Sequence, residues 1–425
     1  MKYTFASRIK SGETDAALSY LYGKRNAERA RERCLRLSAD FENIFGCEPE
    51  AIFSAPGRSE LGGNHTDHQC GHVLAAAVDL DILAAVKPNG SGVIRMKSEG
   101  YPMITVDTES LTPVKREEAT SEALVRGVAS AFAEKGVDMS RSGFDACLVS
   151  DVPGGSGLSS SAAFEILVGT IFNELYFGST VSPVELAKIG QRAENVYFGK
   201  PCGLMDQIAC SVGGVAAVDL KDPAVPVVEK IDLELDSLGY ALCIMDSHAS
   251  HADLTDEYAA IAGEMAAVSR HFGKRFLREV PEADFLAELS SVRAETGDRA
   301  LLRAMHFYSD DKLAVSEAES LKNGDFDGFL RLVKESGKSS AMYLQNVVPT
   351  GHTEDQALML TVALAERLLL GRGAARVHGG GFGGTAQAYV PLDMLNSFIE
   401  GMEALLGEGS VHAVRIRPVG GYRII

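Results

Sequence analysis

A short run of glycine and serine at residues 153–165 limits the possible folds of this chain more than any other stretch. It reads Pro-Gly-Gly-Ser-Gly-Leu-Ser-Ser-Ser-Ala-Ala-Phe-Glu and passes directly into an apolar segment, which predicts a loop that leads into a helix. The first amides of a helix have no partner inside it and carry partial positive charge, which suits a phosphate. Glycine lets the backbone approach an anion closely. The predicted phosphate-binding residues are Gly154, Gly155, Ser156, Gly157, Leu158, Ser159, Ser160 and Ser161.

The same run also fits a simpler alternative, a flexible turn closed by a serine helix cap. It is not a Walker loop, because no Gly-Lys-Ser/Thr follows, and Leu158 breaks the Gly-x-Ser-x-Gly spacing of a nucleophile elbow. Ser161 and Glu165 are four residues apart and share one helical face. A hydroxyl and a carboxylate so placed predict a Mg²⁺ site.

Two further clusters of residues strengthen the phosphate interpretation. The first begins at Ala55 and reads Ala-Pro-Gly-Arg-Ser-Glu-Leu-Gly-Gly-Asn-His-Thr-Asp-His; the second begins at His378 and reads His-Gly-Gly-Gly-Phe-Gly-Gly. With the central loop, in this order, they resemble the three motifs of the GHMP sugar and small-alcohol kinases. The galactokinase branch is the most similar, since its first motif reads Gly-Arg-Val-Asn-Leu-Ile-Gly-Glu-His-Thr-Asp-Tyr. The stretch Cys-Gly-Leu-Met-Asp-Gln from Cys202 resembles the galactokinase Cys-Gly-Ile-Met-Asp-Gln.

This resemblance implies an α+β fold of two domains with the active site between them. The N-terminal domain would be like domain 2 of ribosomal protein S5, and the C-terminal domain would be ferredoxin-like. Strands and helices that alternate without regular βαβ spacing also favour α+β. The break at residues 221–227, which holds two prolines, predicts the boundary. We therefore expect an N-terminal domain over 1–221 (helical extension, sugar motif, phosphate loop) and a C-terminal domain over 222–425 with a glycine loop at 379–384.

The predicted elements are as follows. We expect helices at 14–45, 121–135, 162–175, 183–198, 256–272, 312–334, 354–370 and 392–406. We expect strands at 73–86, 93–106, 144–152, 213–220, 240–245, 385–390 and 411–416.

The resemblance also implies an activity, the ATP-dependent phosphorylation of galactose at its anomeric hydroxyl to give galactose 1-phosphate and ADP. Asp206 is the candidate general base, because a carboxylate within hydrogen-bond reach can take the proton of a sugar hydroxyl. Arg58 would neutralise charge near the transferred phosphoryl group and keep Asp206 ionised. Outside their motifs, these residues would be interpreted as a helix cap and a surface salt bridge. The implied sugar-binding residues are Asn64, His65, Asp67, Gly203, Tyr258, Gly380 and Gly381.

Several positions depart from the galactokinase motifs where the sugar would be recognised. The replacements are Ser59-Glu60 for Val-Asn, Gly62 for Ile, Asn64 for Glu, His68 for Tyr, Ser250-His251 for Arg/Lys-His and His378 for Thr. In galactokinases the Glu is expected to contact the C6 hydroxyl, whereas Asn64 weakens that contact and tolerates a carboxylate at C6. Galacturonate, N-acetylgalactosamine and arabinose are therefore alternative substrates. A catalytically inactive sensor of sugar and ATP is disfavoured by the intact serine run.

Two other signals are weaker. His65, His68, Cys70 and His72 lie within eight residues, but their spacing fits no structural zinc pattern, so we expect no zinc there. The glycine loop matches the Gly-x-Gly-x-x-Gly dinucleotide fingerprint, but a strand-like segment follows where that fingerprint requires a helix. A dinucleotide oxidoreductase is therefore the last alternative.

Charge and cysteine usage limit the partners and the compartment. The 425 residues carry a net charge of −17, which argues against nucleic acid or an anionic membrane as the main partner. Seven cysteines without a Cys-x-x-Cys suit a reducing compartment. No signal peptide and no apolar stretch of membrane-spanning length is recognised. We expect a cytoplasmic monomer or weak homodimer that binds ATP, Mg²⁺ and a sugar.

Overall fold

The computed structural model describes residues 4–153, 157–249 and 254–425. Its strands are β1 Ala51–Gly62, β2 His72–Pro88, β3 Val93–Ser98, β4 Met103–Asp107, β5 Phe144–Ser150, β6 Val215–Asp219, β7 Val227–Ile231, β8 Tyr240–Asp246, β9 Ala374–Val377, β10 Thr385–Pro391, β11 Val411–Val414 and β12 Tyr422–Arg423. Its helices are α1 Phe5–Lys10, α2 Asp15–Phe45, α3 Ser121–Glu134, α4 Ser160–Tyr176, α5 Pro183–Arg192, α6 Met205–Val212, α7 Thr255–His271, α8 Glu282–Ala287, α9 Leu289–Thr296, α10 Asp298–Lys322, α11 Phe326–Ser339, α12 Ala357–Leu369 and α13 Leu395–Leu406.

The first sheet has eight strands in the order β12-β1-β2-β5-β3-β4, with β6 and β7 continuing from β2. Strands β1 and β2 form a long antiparallel hairpin, and the loop between them carries the end of the first motif. Successive side chains of a strand point to opposite faces. Leu83 therefore packs with α1 and α2 on one face, whereas Ala84 packs with α3 and α4 on the other. Both faces are covered, which explains why β2 is apolar almost throughout.

The second sheet has four antiparallel strands in the order β11-β8-β10-β9. Helices α12 and α13 cover one face through side chains such as Leu358 and Phe398. Helix α11 covers the other face, where Phe329 packs edge-on against Tyr389 of β10. The two sheets and their helices agree with the predicted α+β class.

The buried carboxylate of Asp81 on β2 connects helix α2 and the segment around Arg417 to the first sheet. It accepts hydrogen bonds from Tyr22 and Ser54, from Nη1 of Arg33 at 2.8 Å and from Nη1 of Arg417 at 3.2 Å. Asp81 and Arg417 are both fully buried. Burial alone would raise the pKa of Asp81, but the two guanidinium groups outweigh it and hold that pKa below its ordinary value.

Two predicted segments and the predicted domain boundary differ from the structure. Residues 312–334 form parts of two helices, because Gly324 has φ +70° and the Asp325 side chain caps the amide of Gly328 at 2.8 Å. Residues 93–106 form two strands, β3 and β4, that pair as a hairpin. The predicted division after residue 221 does not coincide with the division between the sheets, because β7 pairs with β6 and β12 pairs with β1. No helix in the described ranges is long and apolar enough to cross a membrane.

Candidate functional site

The predicted phosphate loop leads directly into α4. Residues 154–156, which include Gly154, Gly155 and Ser156, lie outside the described residues. Gly157 has φ +69° and Ser159, immediately before the helix, has φ +56°. Leu158 is buried, and its carbonyl accepts a hydrogen bond from the amide of Arg58 at 3.0 Å. The loop is therefore held against β1, with Ser160 and Ser161 in the first turn of α4.

Arg58 and Asp206 form a two-point ion pair beside this loop. Arg58 lies on β1 and Asp206 lies in the first turn of α6; Nε and Nη2 of Arg58 each donate to one carboxylate oxygen at 2.7 Å. Arg58 also donates to the carbonyl of Gly157, and the Ser159 hydroxyl donates to Asp206. The pair is thus tied to the phosphate loop at two points.

The electrostatics of this pair keep Asp206 ionised. Burial alone would raise the pKa of Asp206, but Arg58 and the Ser159 hydroxyl outweigh it, so that pKa lies below its ordinary value. The Arg58 side chain is only 8% exposed, whereas the Asp206 side chain is 32% exposed. An ionised carboxylate that remains accessible can accept a proton from a bound hydroxyl.

Two carboxylates lie behind Ser161. The Ser161 hydroxyl donates to Glu194 at 3.4 Å, and no hydrogen bond joins it to Glu165 among the described residues. Gln207 donates to Glu165 at 3.0 Å and to Glu194 at 2.9 Å, and one oxygen of Glu165 has no hydrogen-bond partner. Burial, with the neighbouring Glu194 carboxylate, raises the pKa of Glu165 well above its ordinary value. Of these two carboxylates, Glu194 is the one within hydrogen-bond distance of the Ser161 hydroxyl.

The loop between β1 and β2 carries the predicted sugar residues. His65 has φ +59°, and its Nε2 lies 3.0 Å from the carbonyl of Gly380. Burial lowers the pKa of His65 to about 3, so the ring is neutral. Asp67 faces Gly203, where an added Cβ would overlap the Asp67 carboxylate. These contacts bring Asp67 and Gly203 together, three residues before Asp206.

Asn64 is fully buried, and protein groups take all of its side-chain hydrogen bonds. Its amide nitrogen donates to Glu60 at 3.0 Å and to the carbonyl of Gly379 at 2.7 Å. Its amide oxygen accepts from Asn346 at 2.9 Å and from Ser340 at 3.1 Å. An asparagine side chain offers two donors and two acceptor lone pairs, and all four are used here.

The glycine loop at 379–384 meets the rest of the site through Tyr258 and His378. The Tyr258 hydroxyl donates to the carbonyl of Gly381 at 3.1 Å, and its ring leaves no room for a Cβ at Gly380. His378 is buried, and its Nε2 accepts from the amide of Glu60 at 3.3 Å. Burial lowers the pKa of His378 to about 3. Gly157 of the phosphate loop lies against this histidine ring. Ser250 and His251 lie outside the described residues.

The histidine-rich stretch at residues 65–72 overlaps the end of the first motif, and its side chains contact protein groups. Nδ1 of His72 pairs with Asp311 at 3.0 Å, Cys70 is buried, and the rings of His65 and His68 lie 5.4 Å apart. Across the described ranges, no group of three or more His, Cys, Asp or Glu side chains is placed to hold a metal ion.

Comparison with known proteins identifies the family. Residues 123–214 match the model of the GHMP kinases N-terminal domain, and residues 39–88 match the galactokinase galactose-binding signature. The chain is 30% identical to galactokinase of Streptomyces coelicolor, over 88% of this chain and 94% of that protein. It is 31% identical to galactokinase of Enterococcus faecalis, over 85% of this chain and 90% of that protein.

Solved structures share the fold. The galactokinase of Lactococcus lactis, solved with galactose, superposes with a TM-score of 0.76 at 24% identity and covers 91% of this chain and 98% of its own. The mevalonate kinase of Methanococcus jannaschii superposes with a TM-score of 0.60 at 15% identity and covers 86% and 98%. The predicted two-domain α+β kinase fold is confirmed. The chain belongs to the galactokinase family of the GHMP kinases.

Proposed function

We propose that this chain transfers the γ-phosphoryl group of ATP to the anomeric hydroxyl of galactose and releases galactose 1-phosphate and ADP. The observation that carries the proposal is the Arg58–Asp206 pair, which is bonded to the phosphate loop through Gly157 and Ser159. A general base and a phosphate-binding loop fixed to one another are what transfer to an alcohol requires.

In this mechanism a general base, a cation and backbone amides have separate roles. Asp206 accepts the proton of the anomeric hydroxyl as that oxygen attacks phosphorus. Arg58 keeps Asp206 ionised and offsets negative charge on the transferred group. Amides of the phosphate loop and the first turn of α4 hold the triphosphate. His65, Asp67, Gly203, Tyr258, Gly380 and Gly381 are proposed to line the sugar site.

A bound Mg²⁺ would neutralise charge on the triphosphate, and we propose that Ser161 and Glu194 would hold it. Glu194→Gln is then expected to weaken Mg²⁺ binding about 10- to 100-fold, because it removes a charged oxygen ligand. Glu165→Gln is the matched control, and it is expected to change Mg²⁺ affinity little because Ser161 is hydrogen-bonded to Glu194, whereas Glu165 accepts from Gln207. Calorimetric titration with MgATP and Mn²⁺-binding spectroscopy measure both variants. A larger loss in Glu165→Gln would return the ligand role to Glu165.

The substrate assignment is tested by ADP release with galactose, galacturonate, N-acetylgalactosamine, arabinose and glucose. We expect the highest kcat/KM with galactose, and NMR of the product should place the phosphate on C1. Turnover of galacturonate far above that of galactose would replace galactose as the substrate. Binding of sugar and ATP without ADP release would support an inactive sensor instead.

We also propose that the reaction takes place in the cytoplasm and that the protein is a monomer or weak homodimer. All seven cysteines are free thiols, and several of them are buried. Free thiols suit a reducing compartment.

A further inference from the structure

Glu60, near the end of β1, and Asn64, in the loop between β1 and β2, form a buried pair. Glu60 Oε1 accepts one hydrogen bond from Asn64 at 3.0 Å and another from Arg376 of β9. Arg376 is fully buried and also donates to Ser336 at 2.7 Å. The pair thus links β1, which carries the first motif, to β9, which leads into the glycine loop.

Asn64 continues this link into the glycine loop itself. It binds the carbonyl of Gly379 directly, and Asn346, which donates to Asn64, also lies 3.2 Å from the carbonyl of Gly380. The loop carbonyls face inward toward these side-chain amides. The position of the loop relative to the sugar motif therefore depends on the donors of Asn64 and Asn346.

The surroundings of the pair restrict where negative charge can sit. Arg376 is the one cation bonded to Glu60 in the described part of the chain, and two more buried carboxylates, Asp310 and Glu317, lie nearby. Both oxygens of Glu317 lack a hydrogen-bond partner, and Glu317 fills the space beside Gly62 where any Cβ would overlap it. A further carboxylate at position 64 would face Glu60 without a cation of its own.

The galactokinase motif has an amide at the position of Glu60 and a carboxylate at the position of Asn64, the reverse of this chain. Because the two side chains touch here, the exchange keeps one amide and one carboxylate in the same buried pair. Replacing only Glu60 or only Asn64 would leave the pair with two amides or two carboxylates, whereas exchanging both would keep one of each.

We propose that Glu60 and Asn64 act as one exchanged unit, and that Asn64 is a positioning residue for the glycine loop and does not read the C6 substituent of the sugar. The proposal rests on the proposed function for its catalytic readout. The substrate preference at C6 must then be set by other residues, and substitutions at position 64 should affect all sugars alike.

A double-mutant cycle of Asn64→Glu, Glu60→Asn and the combined Glu60→Asn/Asn64→Glu tests the unit. Each single variant is expected to lower the melting temperature, and the double variant is expected to recover most of that loss, because it again holds one amide and one carboxylate. The KM for the best sugar is expected to rise about tenfold or more in both variants that carry Asn64→Glu, because they lack the donor to the Gly379 carbonyl. Additive losses in melting temperature would overturn the exchanged unit, and this readout does not depend on any sugar being phosphorylated. A wild-type protein inactive on every sugar would instead overturn the proposed function.

The milder variant Asn64→Ser tests the positioning role. We expect its KM to rise for galactose and for arabinose, which lacks C6, by the same factor, with kcat changed less. Sensitivity to proteolysis within the glycine loop should rise in the same variant. A kcat/KM ratio between galactose and arabinose that shifts about tenfold or more would show that Asn64 contacts the C6 group, and would overturn the proposal.

Discussion

Asp206→Asn is expected to lower kcat by about 10²- to 10⁴-fold while the protein remains folded. The amide keeps the shape of the side chain and can still accept a hydrogen bond from Arg58, but it cannot take the proton of the sugar hydroxyl. Because the pKa of Asp206 lies below its ordinary value, the carboxylate of the wild-type protein is ionised at neutral pH and can accept a proton there. Steady-state ADP release and a melting curve are the measurements.

The control for this variant is Asp222→Asn, an exposed aspartate in the turn between β6 and β7. Its turnover should match that of the wild-type protein. MgATP binding by Asp206→Asn should also stay close to normal, since the proposed triphosphate contacts lie on the phosphate loop and α4. Near-normal kcat in a folded Asp206→Asn protein would remove the base assignment.

Asp81→Asn is expected to lower the free energy of unfolding by about 3–5 kcal/mol, because it leaves the fully buried Arg417 without its carboxylate. The Asp81 pKa is depressed in the folded state, so its contribution is present above the ordinary Asp pKa and is lost as pH falls through the folded value. The difference between variant and wild-type protein should therefore be largest near neutral pH and should narrow under acid conditions. Denaturant titration at several pH values measures it.

Asp393→Asn is the matched control for this stability prediction. Asp393 pairs with Arg372 at 2.8 Å, but both side chains are more than half exposed. Exposed pairs contribute little, since solvent screens them. Equal losses in the two variants would show that burial of the Asp81 network contributes nothing beyond an ordinary surface pair.

Much of the fold was predictable from local sequence patterns. Strand β2 and helices α3 and α4 lie where apolar periodicity placed them, within a few residues. Strand β1 was not predicted because its Pro-Gly-Arg sequence is typical of a loop; pairing with β2 and burial on both sides make it a strand. The return of β12 to the first sheet depends on contacts between residues far apart in sequence, which no local window contains.

The candidate site was also predictable from the sequence only in part. The resemblance to the galactokinase motifs pointed to Arg58 and Asp206, and the structure brings the two together. Glu194, the proposed second Mg²⁺ ligand, was not predicted from the sequence. It lies in a segment predicted as an ordinary α-helix, where the structure has a π-helical turn at 193–198. A glutamate on the apolar face of that predicted helix was the available signal. The bonds of Asn64 to the glycine loop join residues more than three hundred positions apart, so only the tertiary structure reveals them.

The position of β12 far along the sequence from its partner β1 affects how this chain folds during synthesis. Tyr422 and Arg423 pair with β1, and Arg417 occupies the buried carboxylate site on β2. During translation β1 and β2 emerge first, yet their sheet lacks its β12 edge strand and the Arg417 cation until residues 417–423 have left the ribosome. Strand β1 is thus synthesised more than three hundred residues before its partner β12, and the sheet of the nascent protein stays unfinished during that interval.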